Sequence, residues 1–501
     1  MKKTALALLL IQVLIVSAQK KTDPLPYAKT ITADALKRRL AIVASKEMEG
    51  RETATPGQKR AAAYIEGQFR ELGLMPGNNG QYQMTYPVYQ DSLVYASIGI
   101  NDKVYELDKD FAINVGLNSN STYRFSEIVF VGNGVSDSTH DDYKGLDVRG
   151  KAVMVLGSPA QQGGGRRFGN PKLDAAQKNG AIALLVIDNG FPRKTKTPLK
   201  GNMYLSAFQK SIRPNQFAIS ERVAEAIMGS DYASVKSGTM QAKTYTANLT
   251  LSFNKDIQNL QSSNVIGVLE GTDLKDQYVF ITGHYDHLGK RDSLIYYGAD
   301  DDGSGTVSVL QMAEAFAKAK KEGKGSRRTI VFMTVSGEEK GLWGSDYYTS
   351  HPLFPLSRTT ADLNIDMIGR IDSSRKHGDS SNYVYVVGDD KVSTDLKTIS
   401  EATNKKYSHL ELDYKFNDAK DPNRIYFRSD HFNFAKNGVP IIFYYDGMLG
   451  ADYHKPTDTP DKINYALMAK RAQFVFYTAW EMANRDEMLK RDIKLEAPRG
   501  F

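Results

Sequence analysis

The sequence predicts an α/β protein whose central sheet is mixed but largely parallel and covered by helices, with a smaller β-rich module inserted into it. Three observations predict this. After Ser262, apolar runs of strand length alternate with helical patterns, as they do in parallel sheets covered on both faces. From about Ala96 to Phe253 the pattern changes to short β-like runs with frequent glycine, so a second module is expected there. The length of 501 residues exceeds one ordinary domain, and 41% hydrophobic with 25% charged residues excludes wholesale disorder, collagen and a coiled-coil rod.

Taken in order, the elements begin with a leader. Lys2 and Lys3 precede an apolar run from Ala5 to Val16, broken by Gln12 and ending in the small-residue sequence Val16-Ser17-Ala18. That pattern predicts a secretory signal peptide over residues 1–18 and export to the periplasm or beyond. The run is shorter than the roughly 20 apolar residues of a membrane span, and no other stretch is long and apolar enough to be one. Thr55-Pro56-Gly57-Gln58 predicts a capping box opening a helix, whose apolar face is Ala61, Ala62, Ile65, Phe69 and Leu72 and whose stop is Gly73. Ile128 to Val131, Ala152 to Leu156 and Ala181 to Ile187 read as strands, with a short helix from Pro171 to Lys178. The tract Gly163-Gly164-Gly165-Arg166-Arg167 lacks the Gly-Lys-Ser/Thr ending of a phosphate loop and reads as a surface loop. Beyond Ser262, strands are expected at Tyr278 to Thr282, Thr329 to Val335, Asp362 to Met367, Tyr383 to Val387 and Pro440 to Tyr444. Helices are expected at Ser304 to Lys318, Glu339 to Tyr348 and Lys462 to Met488.

The chain contains no cysteine, which removes disulfides, thiolate zinc sites, iron–sulfur clusters and cysteine nucleophiles together. Any metal must be held by His, Asp and Glu. The net charge of +7 is small for this length, and the run Lys318 to Lys324 is interrupted where a helix ends, so no nucleic-acid partner is expected. Five segments concentrate the chemistry: Gly283-His284-Tyr285-Asp286-His287, Gly298-Ala299-Asp300-Asp301-Asp302-Gly303, Ser336-Gly337-Glu338-Glu339, Asn364-Ile365-Asp366, and Tyr453-His454. Most fall at the carboxyl end of an expected strand, where α/β sheets bind ligands. Two imidazoles and three carboxylates suit a pair of divalent ions, zinc above all when histidine is present. Neighbours on an extended chain diverge, so one of Glu338 and Glu339 can ligate while the other reaches a metal-bound water. A serine hydrolase is not expected, because no Gly-x-Ser-x-Gly elbow occurs.

In this order and spacing, the five segments resemble the dizinc aminopeptidase family of zinc exopeptidases, which also includes glutamate carboxypeptidases. The stretch Glu127 to Asp188, with Asp142-Tyr143-Lys144-Gly145-Leu146 and Gly150-Lys151-Ala152-Val153, resembles the protease-associated domain often inserted into these enzymes. The resemblance implies a zinc-exopeptidase fold in which residues 27–117 and 254–495 form the catalytic domain around a protease-associated insert at 118–253. It implies two zinc ions, one bound by His284 and Asp366, the other by Glu339 and His454, with Asp301 bridging. Glu338 would be the general base and acid, Tyr453 a donor to the developing oxyanion, and Asp286 the acceptor of the second ring proton of His284. The implied substrates are peptides, attacked by a zinc-bound water whose pKa falls from about 15.7 towards 7.

Competing expectations attach to the same residues. A carboxypeptidase acting on acidic peptides needs cationic groups, and no dedicated arginine cluster stands out in the sequence. A single-zinc glutaminyl cyclase of this fold is disfavoured by the two complete ligand sets, and an inactive receptor-like homologue by the intact His284, Asp301, Glu338, Glu339, Asp366 and His454. Asp300 and Asp302 read as loop and cap residues, and His287 as a loop or outer-sphere residue. His431 is as consistent with a pocket wall as with a helix start, and Arg370 as consistent with substrate contact as with a buried ion pair. His140, His351, His377 and His409 are scattered and read as surface.

Overall fold

The computed structural model describes residues 22–157, 170–208, 211–237 and 239–495. The leader read over 1–18 and the tract Gly163 to Arg167 lie outside the described residues. The described chain divides into two compact units, residues 22–86 with 262–495, and residues 87–261.

In the first unit the strand order is Glu411–Asp413, Tyr383–Val387, Ile441–Tyr445, Thr359–Ile365, Leu274–His284, Arg328–Val335 and residues 265–269, with Met75–Pro76 alongside the last. The four strands from Ile441–Tyr445 to Arg328–Val335 run parallel; the pairings of Ile441–Tyr445 with Tyr383–Val387 and of Arg328–Val335 with 265–269 are antiparallel. This is the expected mixed, largely parallel sheet. Alternate strand residues face opposite ways. Val279, Ile281, Ile330, Phe332, Leu363 and Ile365 pack with residues of helices Ala33–Val43, Pro56–Glu71, Gly305–Lys321 and Tyr465–Asn484. Phe280, Val331, Met333, Ile441 and Phe443 pack with Tyr348 and Phe434, from helices Trp343–Ser350 and His431–Lys436. Each of these side chains is essentially buried, and a fully buried Val, Ile, Leu or Phe contributes about 1.5–3 kcal/mol. Strands buried on both faces explain why their sequences are continuous apolar runs rather than alternating ones.

Two local expectations are corrected. Thr55 does not cap Pro56–Glu71 with its side chain; its hydroxyl donates to the Glu52 carbonyl at 2.6 Å. Gln58 is buried instead of closing a capping box, and its amide donates to the Tyr285 hydroxyl. Tertiary partners have outcompeted the local motif. The helix expected from Glu339 begins at Trp343, because Glu338–Lys340 forms a separate 3-10 turn bounded by Gly337 at φ 75° and Gly341 at φ 111°. Both glutamates therefore leave the strand on a tight turn, free of helical periodicity.

The second unit starts at Pro87 and ends at Gln261, wider than the 118–253 read from the sequence. Residues 87–117 belong to it because they supply strand: Phe111–Ile113 pairs antiparallel with Asn215–Ile219, and Gln83–Ile100 pairs with Lys103–Tyr105 and Lys200–Tyr204. Its sheet continues through Ala183–Ile187, Ala152–Leu156 and Ser121–Phe130, all parallel, to residues 243–253. One face buries Ile128, Phe130, Leu185 and Phe217 with helix Glu221–Met228; the other buries Val129, Val153 and Leu184 with Tyr143 and helix Pro171–Lys178. Within this unit Lys255 and Asp91 form a buried ion pair at 2.7 Å. Among the described residues no helix is long and apolar enough to cross a membrane.

Candidate metal centre

His284 ends the strand Leu274–His284, Glu338 and Glu339 follow Arg328–Val335, and Asp366 follows Thr359–Ile365. These strands are parallel neighbours, so their carboxyl ends deliver three of the five segments to one edge of the sheet. Asp301 comes from the turn Ala299–Ser304, which opens helix Gly305–Lys321. Tyr453 and His454 come from the loop after Ile441–Tyr445. Ligand-loop backbones are unusual: His454 at φ 56° and Met367 at φ 61° are non-glycine residues in the left-handed region, where sites commonly store strain. Gly298 sits at φ 55°, and a side chain there would meet the Asp301 carbonyl at 2.3 Å and the His287 ring at 2.5 Å.

The donor atoms fall into two groups that share Asp301, buried except for the partly exposed His454. His284 Nε2 lies 3.2 Å from Asp301 Oδ1 and 3.5 Å from Asp366 Oδ1. His454 Nε2 lies 3.2 Å from Asp301 Oδ2 and 3.1 Å from Glu339 Oε2. Glu338 Oε2 stands 3.9 Å from His284 Nε2. These six of the expected site residues therefore meet, and Asp301 turns one oxygen to each group. The phenol of Tyr453 lines the same small cavity as Asp301, Glu338 and Asp366; its ring stacks on His454 and its hydroxyl accepts from Arg428 Nη2 at 2.9 Å.

Asp286 departs from expectation. His284 Nδ1 lies 3.0 Å from the main-chain carbonyl of Asp286, while the nearer carboxylate oxygen is 3.6 Å away. The tautomer is fixed all the same, but by the backbone. The carboxylate instead accepts from the Thr53 hydroxyl at 2.6 Å and from the Glu338 amide at 3.2 Å, tying the His284 turn to the glutamate turn.

Asp300 and Asp302 accept main-chain amides around the Asp301 turn. Successive amides of the Asp366 loop donate across to the Asp301 loop: Met367 N to Asp302 Oδ1 at 3.1 Å, Ile368 N to Ser304 Oγ at 3.0 Å, and Gly369 N to Asp300 Oδ1 at 2.8 Å. Asp458 accepts from the amides of Asp300 and Asp301. Three loops are thus stitched together behind the donors. His431 is a core residue, its Nε2 2.8 Å from the Tyr426 carbonyl and its ring stacked on Phe443; burial lowers its pKa to about 3. Arg370 forms an ion pair with Asp452 at 2.8 Å.

Arg51 carries no sequence signal for a role here, yet it braces the site. Fully buried, it donates to the carbonyls of Val43, Tyr285, Tyr297 and Gly298 at 2.7–2.8 Å, so one guanidinium holds both the His284 turn and the Asp301 turn. Burial lowers its pKa to about 10, and the nearby carboxylates of Asp286 and Asp302 work against that shift. Arg51→Met leaves those carbonyls without a donor and is expected to destabilise the fold by about 3–5 kcal/mol, read as a lower urea midpoint. An unchanged midpoint would show that the brace is redundant.

The electrostatics separate the two adjacent glutamates. Burial, with Glu339 and Asp366 close by, pushes the Glu338 carboxyl well above its ordinary range, against the pull of His284. Glu339 is also buried and faces Asp301, but contacts with His287 and His454 outweigh both and hold it below the usual range. Burial works against charge on His284, and the carboxylates of Asp366 and Glu338 overcome it, holding its pKa well above the usual value. Buried donors without hydrogen-bond partners, among them His284 Nε2 and Glu339 Oε1, fit metal ions. The sets His284, Asp301, Asp366 and His287, Asp301, Glu339 each bring their ligand atoms within 4.8 Å of one another. His287 is one residue whose placement the sequence reading understated.

A mixed α/β sheet with buried His–carboxylate groups able to hold metal, gathered at the ends of its parallel strands, defines the class of protein. Residues 264–479 match the model of Peptidase family M28. A probable leucine aminopeptidase of Arthroderma otae is 30% identical over 214 residues, 42% of this chain and 55% of the relative. The chain spans about half the length of the curated relatives it matches. Two solved structures share the fold: an aminopeptidase from Aneurinibacillus sp. strain AM-1, with TM-score 0.56, 21% identity and coverage of 94% of this chain and 99% of that one, and BSAP, a zinc aminopeptidase from Bacillus subtilis, with TM-score 0.53, 20% identity and coverage of 93% and 99%.

Proposed function

We propose that this chain is an exported zinc aminopeptidase that removes N-terminal residues from peptides, with two ions held by the shared-aspartate arrangement. The observation that carries the reading is the convergence of His284, Asp301, Asp366, Glu339 and His454, with Glu338 beside them, its carboxylate 3.9 Å from His284 Nε2. In this assignment His284 and Asp366 would hold one ion, Glu339 and His454 the other, and Asp301 would serve both. When bound, the ions supply Lewis acidity towards water and towards a peptide carbonyl. Glu338, its carboxylate held near the first group and its amide anchored on Asp286, takes the proton of the attacking water and returns it to the leaving amine. Because the Tyr453 hydroxyl accepts from Arg428, its own proton is left to donate to the developing oxyanion. The lysine-flanked apolar leader supports export, and the strand and helix pattern of residues 87–261 supports a protease-associated insert.

The test is turnover of free-amine, N-blocked and C-terminally amidated peptides, with and without chelator and added zinc. Free-amine and amidated peptides are expected to be cleaved from the amino end, N-blocked ones spared, and chelated enzyme silent until zinc returns. Internal cleavage of N-blocked peptides would overturn the aminopeptidase reading, and activity unaffected by prolonged chelation would overturn the metal chemistry.

A further inference from the structure

His287 is fully buried, yet neither ring nitrogen has a hydrogen-bond partner among the described residues. Its ring is held in place: its amide donates to the Arg51 carbonyl at 3.3 Å, and its Cγ and Cδ2 press against Gly298, where a side chain would come within 2.6 Å. Nδ1 points into the second donor group, 2.8 Å from Glu339 Oε1 and 3.9 Å from Asp301 Oδ2. Close as this contact is, neither Nδ1 nor Oε1 has a hydrogen-bond partner among the described residues. His284 Nε2 shows the same combination, buried and unbonded 3.2 Å from Asp301 Oδ1. A buried imidazole nitrogen and a carboxylate oxygen this close, with no hydrogen bond to satisfy either, suit a cation shared between them.

We propose that His287 is itself a metal ligand through Nδ1, so that the second position draws on Asp301, Glu339, His454 and His287 while the first has His284, Asp301 and Asp366. Glu339 divides its oxygens between the two imidazoles, Oε1 towards His287 and Oε2 towards His454. The extra side-chain donor makes the second position the tighter one, so the ions leave in order, the first before the second. This inference rests on the metal reading given above but not on the identity of the substrate.

The experiment replaces zinc with cobalt(II) in the full chain and counts hyperfine-shifted, exchangeable imidazole N–H protons by proton NMR in water. Three are expected, from His284, His287 and His454, and two in His287→Gln. Stepwise removal with a competing chelator reads the order of loss: the tighter ion of the wild type is expected to be held at least tenfold less tightly in the variant. Two shifted signals in the wild type would overturn the proposal while leaving the metal centre standing, and that count needs no variant to fold. Failure of the chain to take up cobalt or zinc would instead overturn the metal reading itself.

Discussion

Glu338→Gln is expected to keep its zinc and lose about 10²- to 10⁴-fold in kcat, the range that a positioned proton-transfer group supplies. The glutamine amide is isosteric with the carboxyl but has no basic oxygen to take a proton. Glu338 is paired with none of the other carboxylates and stands 3.9 Å from the nearest ligand imidazole, so the donors that hold metal are untouched. The backbone also stays put, because the Asp286 carboxylate grips the residue 338 amide rather than its side chain. Metal analysis after gel filtration, beside kcat and KM for a leucine anilide, checks both halves. Near-normal turnover would remove Glu338 from the acid–base role; loss of zinc would make it a ligand.

Asp301→Ala is expected to behave in the opposite way, losing metal first and activity as a consequence. Each oxygen of Asp301 lies 3.2 Å from a different imidazole, so one truncation takes a donor from both groups. In the wild type an ion that binds only the folded state adds about 2.7 kcal/mol at a hundred times its Kd. That zinc-dependent rise in Tm should largely vanish in the variant, and metal analysis should find less than one ion per chain after dialysis. The fold should persist without metal, since Asp300 and Asp302, not Asp301, receive the amides that stitch the loops. A variant that still carries two ions and still gains Tm with zinc would show that Asp301 is no bridge.

Much of the site was legible because its chemistry is written in short segments. His284, Asp301, Glu338, Glu339, Asp366, Tyr453 and His454 all stand in short motifs, most of them at expected strand ends, and the structure brings every one of them to the same cavity or donor group. What escaped the sequence depends on distant partners. Gln58 looked like a capping residue and is a buried partner of Tyr285; Asp286 looked like the histidine's acceptor and instead ties Thr53 to Glu338. Arg51 offered nothing to read, because its role depends on carbonyls contributed by residues as far away as Gly298. Residues 87–117 read as part of the catalytic domain but cluster with the second unit, because short edge strands leave weak periodicity and their pairing partners lie about a hundred residues on.

The sequence by itself determined the donor types and the alternation of strand and helix. Both are local: the absence of cysteine limits metal ligands to His and carboxylate wherever they fall, and buried parallel strands must be apolar along their whole length. Only the tertiary structure decided which donors meet. Parallel register sets His284 opposite Val335 and Thr282 opposite Asn364, bringing Glu338 and Asp366 to the same edge as His284. That convergence depends on strand order, not on strand content, and the burial of His287 against Gly298 and Glu339 follows from it.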